Sequence, residues 1–333
     1  MTLSLRAAAL SAAALILLIT GSTIRAETPP TGPDTFETNL SWQIQLDGLG
    51  FSPGLIDGNP GAKTHLAMRE FQRLKELPVT GELDSSLRET IPLGPAIRTY
   101  VVLAADLADV APAPKGWLEK SRLDRLRYPS LEELVAEKFH TSRACLARLN
   151  PGLKMSDLKV GDKLKVPNIT DGATIYSYVP HPDRIDINLS EKVIRLSAHG
   201  KLIALFHCSI AKDKAKLPSG DARVTVISVN PNYTFDPAKW PDVHGIDHKL
   251  LIPPGPRNPV GLCWIGLSLP GYGMHGSPTP ELIGKTGSHG CFRLTNWDAL
   301  RLSRLVAIGT PVHFSAAPSP DATTADLPIV ASR

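Results

Sequence analysis

The hydrophobic period changes once along this chain of 333 residues, and that change most constrains what it can fold into. In "THLAMREFQRLKEL" (64–77), Ala67, Phe71 and Leu74 recur at i, i+4 and i+7, the stripe of an amphipathic helix, with Thr64 placed as its N-cap. From Arg184 the period is two. Ile185, Ile187 and Leu189 alternate with polar residues, and the apolar runs that follow are split at Ser190-Glu191-Lys192 and His199-Gly200-Lys201, as hairpin-linked strands require. "DARVTVISVN" and "CWIGLSL" continue the strand pattern. The chain therefore reads as multidomain α+β, with a helical part ahead of a mainly-β part.

Punctuation by Gly, Pro and Asp sets the boundaries. Residues 36–91 read as a small helical bundle: "GFSPGLIDGNPG" and "PVTGEL" are its loops, and Asp84 caps a helix at "SSLRETI". Residues 92–127 read as a connector, with a strand candidate in "IRTYVVLAADL" and a linker-like "VAPAPKG". Residues 128–169 form a second small α/β module. There Ser130 and Glu133 make a capping box, Thr141 or Ser142 caps a second helix, Asn150-Pro151-Gly152 stops it, and "LKVGDKLKVPN" closes as a turn and short strand. Residues 183–315 are the mainly-β domain, and 316–333 read as a disordered tail.

At the N-terminus, Arg6 precedes an apolar run from Ala7 to Ile19, with Gly21, Ser22 and Ala26 near a cleavage point before Glu27. That run is too short to span a bilayer comfortably, so residues 1–26 read as a signal peptide and the mature protein as exported. Removing them takes away Arg6 and Arg25 and no acid, so the formal charge of +4 falls by two. Such a mild balance, without a basic tract interleaved with aromatics, argues against a nucleic-acid partner.

The four cysteines, Cys145, Cys208, Cys263 and Cys291, form no CxxC pair, which argues against a structural zinc site. Cys208 and Cys263 lie in apolar runs and read as buried small hydrophobes, with a disulfide between them as the alternative.

The polar stretch "MHGSPTPELIGKTGSHGCFRL" (274–294) carries the chemistry. Acyl transfer through sulfur needs a thiolate, a base and oxyanion donors, and an ordinary thiol is mostly protonated at neutral pH. Cys291 is the candidate nucleophile. His275, from a separate phrase, is the favoured base, and His289, adjacent to the thiol, a positioning residue. Gly290 permits close substrate approach, and backbone N–H groups around Gly290-Cys291 are candidate oxyanion donors. The rival is a metal site, because His244 and His248 in "HGIDH" have zincin spacing; the glutamate that motif requires is replaced by Gly245, and the local sequence is loop-like.

These stretches resemble known families. Gly50-Phe51, Pro53-Gly54, Ile56-Asp57-Gly58, Gly61, Thr64, Phe71-Gln72 and Thr80-Gly81 resemble the peptidoglycan-binding type 1 domain, a three-helix unit. Leu149-Asn150-Pro151, Leu158, Gly161-Asp162, Leu164 and Val166-Pro167 resemble a LysM domain, which implies binding of N-acetylglucosamine-containing glycan strands. "HGS" at 275–277 and "SHGCFRL" at 288–294 resemble the signature of YkuD-type L,D-transpeptidases. Pro218-Ser219-Gly220, "PPGPRNPVG" at 253–261, Ile283-Gly284 and Gly309-Thr310-Pro311-Val312 add support. Ser219-Gly220-Asp221 departs from the commoner Thr/Gly-aromatic run, and Arg293 stands where some members have Asn.

The resemblance implies a 3→3 cross-linking enzyme of peptidoglycan that needs no cofactor and no metal. Donor and acceptor are tetrapeptide stems, D-Ala is the leaving group, and carbapenem β-lactams are expected to acylate Cys291. The Gly276 carbonyl would orient the His275 imidazole. Ser288 and Arg293 are assigned to substrate binding, Arg293 either meeting a substrate carboxylate or supporting the loop. The alternatives are a carboxypeptidase- or endopeptidase-type hydrolase, or attachment and release of a wall protein, using the same Cys-His site; the intact His275/Cys291 pair argues against a non-catalytic wall-binding protein. The place of action is the periplasm or cell envelope, and the two N-terminal modules read as tethers, so a truncation starting near Thr170 is expected to keep activity on small soluble stems.

Overall fold

The computed structural model describes residues 35–169, 180–240 and 242–316. The expected signal peptide and all of the expected tail but Ala316 lie outside them.

Helices α1 (Phe36–Gly48), α2 (Ala62–Leu74) and α3 (Ser85–Thr90) make the first module. Ala67, Met68 and Phe71 of α2 bury against Trp42 and Leu46 of α1, Phe51 of the loop and Leu87 of α3. Asp84 caps α3 as predicted, accepting from the Leu87 N–H at 2.9 Å. Thr64 is not the cap of α2. Gly61 holds that position, and Thr64 sits buried inside the helix because its hydroxyl is drawn to the Pro53 carbonyl at 3.2 Å.

The second module begins earlier than its sequence boundary. Strand β1 (Ile97–Val101), inside the expected connector 92–127, pairs antiparallel with β2 (Lys163–Pro167), Tyr100 opposite Leu164. Short helices α4 (Ala104–Ala108) and α5 (Trp117–Ser121) follow β1, then α6 (Leu131–Lys138) and α7 (Arg143–Leu149). The closing strand alone has no ladder partner, and Val102 and Tyr128 complete the apolar core with Leu134, Val135, Leu146 and Val166, so the connector as far as Val110 is part of the module, while Trp117 and Leu126 pack on the β domain. Ser142 caps α7, and Ser130 accepts from the Glu133 N–H at 3.2 Å. The capping box stays half-made, because the Glu133 carboxylate turns away to Arg257, 2.6 Å off in the β domain.

The β domain comprises β3 (Arg184–Asn188), β4 (Val193–Ala198), β5 (Lys201–His207), β6 (Gly220–Val229), β7 (Tyr233–Phe235), β8 (Leu250–Ile252), β9 (Cys263–Leu267), β10 (Gly273–His275), β11 (Phe292–Arg293), helix α8 (Asn296–Leu305) and β12 (Pro311–Ser315). Its main sheet has the order β11-β10-β9-β6-β12-β3-β4-β5. Both predicted hairpins form, β3–β4 and β4–β5. Beyond β5 the chain turns back, and Ser209 exchanges backbone bonds with Arg293 at 2.8 and 3.0 Å, so the sheet curls until its two edges meet. Cys208 and Cys263 are both free thiols buried in this core, without a disulfide, and burial pushes the Cys208 thiol up to about 12.

Helix α8 is absent from the sequence reading, although its signals are present: Thr295 caps it by accepting from the Asp298 N–H, and Ala299, Leu302 and Leu305 pack into the sheet's core. Its other side receives the N-terminal modules through buried polar contacts. Arg301 binds Asp47 through both guanidinium nitrogens, Asp298 accepts from Ser52 at 2.9 Å, and the Trp297 ring stacks on His140.

Candidate active site

The site is built at the meeting of β10 and β11. These strands are parallel, Met274 beside Phe292 and His275 beside Arg293. Met274 and Phe292 are fully buried in the domain core. Because successive side chains alternate, His275 and Arg293 face the other side of the sheet, and Cys291, two residues before Arg293, is set toward that side as well. Trp264 lies opposite His275 on β9, its ring stacked at 5.7 Å.

His275 is buried, and its Nδ1 lies 2.7 Å from the Gly276 carbonyl oxygen. A carbonyl only accepts, so Nδ1 carries the hydrogen and Nε2 keeps a free lone pair. Burial drives the imidazole pKa down to about 4; the Gly276 bond opposes this and the Arg293 charge adds to it. The ring is therefore neutral at physiological pH and able to take a proton.

Cys291 is half-buried, its Sγ 3.4 Å from the Gly271 carbonyl. Burial raises the thiol pKa, with the Gly273 backbone opposing. At rest, then, the Cys291 sulfur is held as a thiol and the His275 ring as a neutral imidazole. Gly290 has open space where a Cβ would stand, which leaves room for an approaching substrate. Its N–H, however, already binds the Ser288 hydroxyl at 3.1 Å.

Other expected roles shift. The Ser288 hydroxyl also donates to the Cys291 carbonyl at 2.5 Å, so Ser288 braces the nucleophile's loop instead of reaching outward for substrate. Arg293 donates through Nη2 to the carbonyls of Thr286 and Gly287, at 3.0 and 2.5 Å. Of its two predicted uses, loop support is the one the geometry contains. His289 is exposed, and its ring packs 4.8 Å from that of Trp240; among the described contacts it meets neither Cys291 nor His275.

Trp240 belongs to an aromatic wall the sequence reading did not single out. Trp117 of α5 stacks on Phe235 at 4.2 Å and lies near Tyr233 and Trp240, and Tyr233 is close enough to Cys291 to feel a charge on its sulfur. The signal was the aromatic spacing in "NYTFDPAKW" between two β-type segments. His244 and His248 sit in the loop between β7 and β8, not on a helix, and His248 is exposed and bound to Asp247. Among the described residues no three His, Cys, Asp or Glu side chains gather as metal ligands.

A thiol on a glycine-flanked loop, with a neutral imidazole of fixed tautomer facing the same side, is the equipment of cysteine-dependent acyl transfer. Residues 182–314 match the YkuD family, the "L,D-transpeptidase catalytic domain", and residues 41–91 match the "Putative peptidoglycan binding domain". The chain thus joins a YkuD-type catalytic domain to a peptidoglycan-binding type 1 domain. It is 29% identical over 183 residues to "Putative L,D-transpeptidase YkuD" of Bacillus licheniformis, covering 55% of this chain and 92% of that protein. Among solved structures it is similar to an L,D-transpeptidase of Xylanimonas cellulosilytica, at 17% identity and TM-score 0.34, covering 87% of this chain and 98% of that one. It is also similar to L,D-transpeptidase 3 of Mycobacterium tuberculosis bearing a faropenem-derived adduct, at 16% identity and TM-score 0.33, covering 48% and 76%.

Proposed function

We propose that this L,D-transpeptidase forms 3→3 cross-links through a thioester on Cys291, with His275 as its base. The observation that carries the reading is the 2.7 Å bond from His275 Nδ1 to the Gly276 carbonyl, which leaves Nε2 basic. As Sγ attacks the carbonyl at the L-centre of diaminopimelate in a donor stem, Nε2 takes the thiol proton. The oxyanion is met by the Cys291 N–H, since the Gly290 N–H is engaged by Ser288. The C–N bond to D-Ala then breaks, the imidazolium returns its proton to the leaving amine, and the thioester remains. The side-chain amine of a second diaminopimelate attacks it, gives its proton to His275, and releases the thiolate as the new amide forms. With water in place of that amine the same residues perform hydrolysis.

The N-terminal half adds wall binding in this reading. Residues 96–169 form a strand–helix–helix–strand unit, with α4 and α5 inserted after β1, and this supports the LysM assignment. A groove of about 570 Å³ lined by Val110, Ser130, Ala147, Asn150 and Met155 is the proposed seat for a glycan strand. Residues 1–26 act as the signal that exports the protein to the periplasm or cell envelope. Among the described residues no helix is long and apolar enough to cross a membrane.

The test is mass analysis of products from purified sacculi, with and without an added amine acceptor. Cross-linked dimers that require the amine support transpeptidation, whereas trimmed stems in both cases point to the hydrolase. Cys291→Ser removes either activity, and Cys291→Ala removes the single carbapenem adduct; an adduct that survives in Cys291→Ala places the reactive thiol elsewhere.

A further inference from the structure

We propose that Glu137, on α6 of the N-terminal half, is a positioning residue for His275 that acts through the side chain of Asn296. The inference rests on His275 being the base of the reaction.

Asn296 opens α8 inside the catalytic domain, just after Leu294, whose N–H binds the His275 carbonyl at 2.8 Å. Its Oδ1 accepts from the Leu262 N–H at 3.0 Å. The same oxygen presses on two glycines: a Cβ on Gly276 would lie 2.3 Å from it, and one on Gly261 2.0 Å. The amide is therefore a wedge between the turn at 261–262 and Gly276, the residue whose carbonyl holds the imidazole.

The amide's oxygen and nitrogen ends are nearly equal in shape, so the wedge works only if something sets its orientation. Glu137 does this from across the seam. Its two carboxylate oxygens each accept from Asn296 Nδ2 at 3.0 Å, with the Pro256 carbonyl at 3.2 Å. With acceptors on that side, the NH₂ faces the carboxylate and Oδ1 must face Leu262 and Gly276. If the amide turned, two N–H groups would oppose each other at Leu262, and the turn beneath His275 would have to move.

The carboxylate is otherwise an unlikely choice for so buried a position, because an unpaired buried acid is costly. Burial pushes it up to about 7, and the Tyr128 hydroxyl and the Asn296 amide pull it back. The charges facing it are Glu133 of its own helix, which raises it, and Arg257 of the catalytic domain, which lowers it. Protonation near neutrality replaces a double acceptor by a group that is half donor. Acidification through about pH 7 should thus loosen the wedge well before His275 itself, held near 4, becomes charged.

The experiment uses the full chain with Glu137→Gln, Asn296→Ala and the double variant, and Glu70→Gln as a control at the same seam, where Glu70 binds Arg195. Two rates are read: donor acylation, as kcat and KM with a disaccharide-tetrapeptide, and alkylation of Cys291 by iodoacetamide, which needs no natural substrate. Glu137→Gln should lower kcat and the alkylation rate about tenfold with KM within about twofold, the scale of other outer-sphere orienting bonds. The unaltered protein should show a rise in rate through about pH 7, and Glu137→Gln should erase it. The double variant should be no slower than Asn296→Ala, and Glu70→Gln should lose thermal stability while keeping both rates. Unchanged rates in Glu137→Gln, losses that multiply in the double variant, or an unaltered protein with no inflection near pH 7 would each overturn the proposal; the last needs no variant to fold. Absent donor turnover in the unaltered protein would count against the transpeptidase reading, while the alkylation rates would still decide the role of Glu137.

Discussion

The interior of the curled sheet and the seam where the N-terminal modules meet it are both buried, but the seam adds buried polar pairs to its apolar contacts. The sheet's core is almost wholly apolar, from Ile185 and Ile187 through Phe206 and Ile265 to Phe292 and Phe314. The seam joins apolar contacts such as Phe51 on Leu205 with buried polar pairs: Asp47 on Arg301, Ser52 on Asp298, Glu137 on Asn296 and Glu70 on Arg195. Apolar burial is non-directional and tolerates small changes of shape, whereas buried charges demand their partners and punish the loss of one. The difference teaches that the two halves are built to one fixed geometry, not strung together as tethers on an enzyme.

The largest expected effect tests that directly. A truncation starting near Thr170 strips Arg301, Asp298 and Asn296 of the partners just named and leaves Arg195 with Glu191 of its own domain but without Glu70. We expect loss of cooperative unfolding in calorimetry and loss of activity on soluble stems as well as on sacculi. This reverses what the domain boundaries alone suggest, and a well-folded truncation with full activity on soluble stems would restore the tether picture.

His275→Ala comes next and should act on chemistry while leaving the seam intact. Acylation at neutral pH should fall about 10²–10⁴-fold, as for removal of a general base. Part of the loss should return at alkaline pH, where the Cys291 thiol, raised by burial, ionises unaided. Rescue in His289→Ala instead would reverse the roles.

Asp47→Ala should cost about 3–5 kcal/mol in chemical denaturation, the range for breaking one partner of a buried pair. Burial pushes the Asp47 carboxyl up, but the charges of Arg301 and His140 override it and hold it well below the ordinary value of 3.8. A depressed acid stabilises the fold above its unfolded value and loses that contribution as pH falls through its folded one. The advantage over Asp47→Asn should therefore persist to about pH 4 and shrink only below it. An advantage already lost at pH 6 would mean the pair is open to solvent.

The smallest effect belongs to the core. Ile187→Val should cost about 0.5–1.5 kcal/mol in the same measurement and leave acylation unchanged. A core loss as large as that of Asp47→Ala would erase the contrast between the two regions.

Local signals were enough to read most elements and the central pair of residues. The period-two runs in 184–207 gave both hairpins, because alternation and turn residues act within a few positions of one another. Cys291 and His275 were legible because glycine-bracketed polar phrases are foreign to a core strand. Helix α8 carries local signals of the same kind, the Thr295 cap and the spacing of Ala299, Leu302 and Leu305, but it is a short helix set between β-type segments.

What the sequence by itself determined, then, is the set of local conformations and the candidates for the reacting groups. Tertiary structure decided which groups are paired across distance. Strand β1 waits sixty residues for its partner β2, and nothing within "IRTYV" specifies that ladder. Ser288 and Arg293 look like substrate contacts until the folded loop draws in the Ser288 hydroxyl and one end of the Arg293 guanidinium. Glu137 reads as an ordinary helix residue, and only the seam brings its carboxylate to Asn296. The physical reason is range: torsional preference and periodicity are short-range, whereas a buried hydrogen bond between distant residues exists only once packing has excluded the water that would otherwise satisfy both.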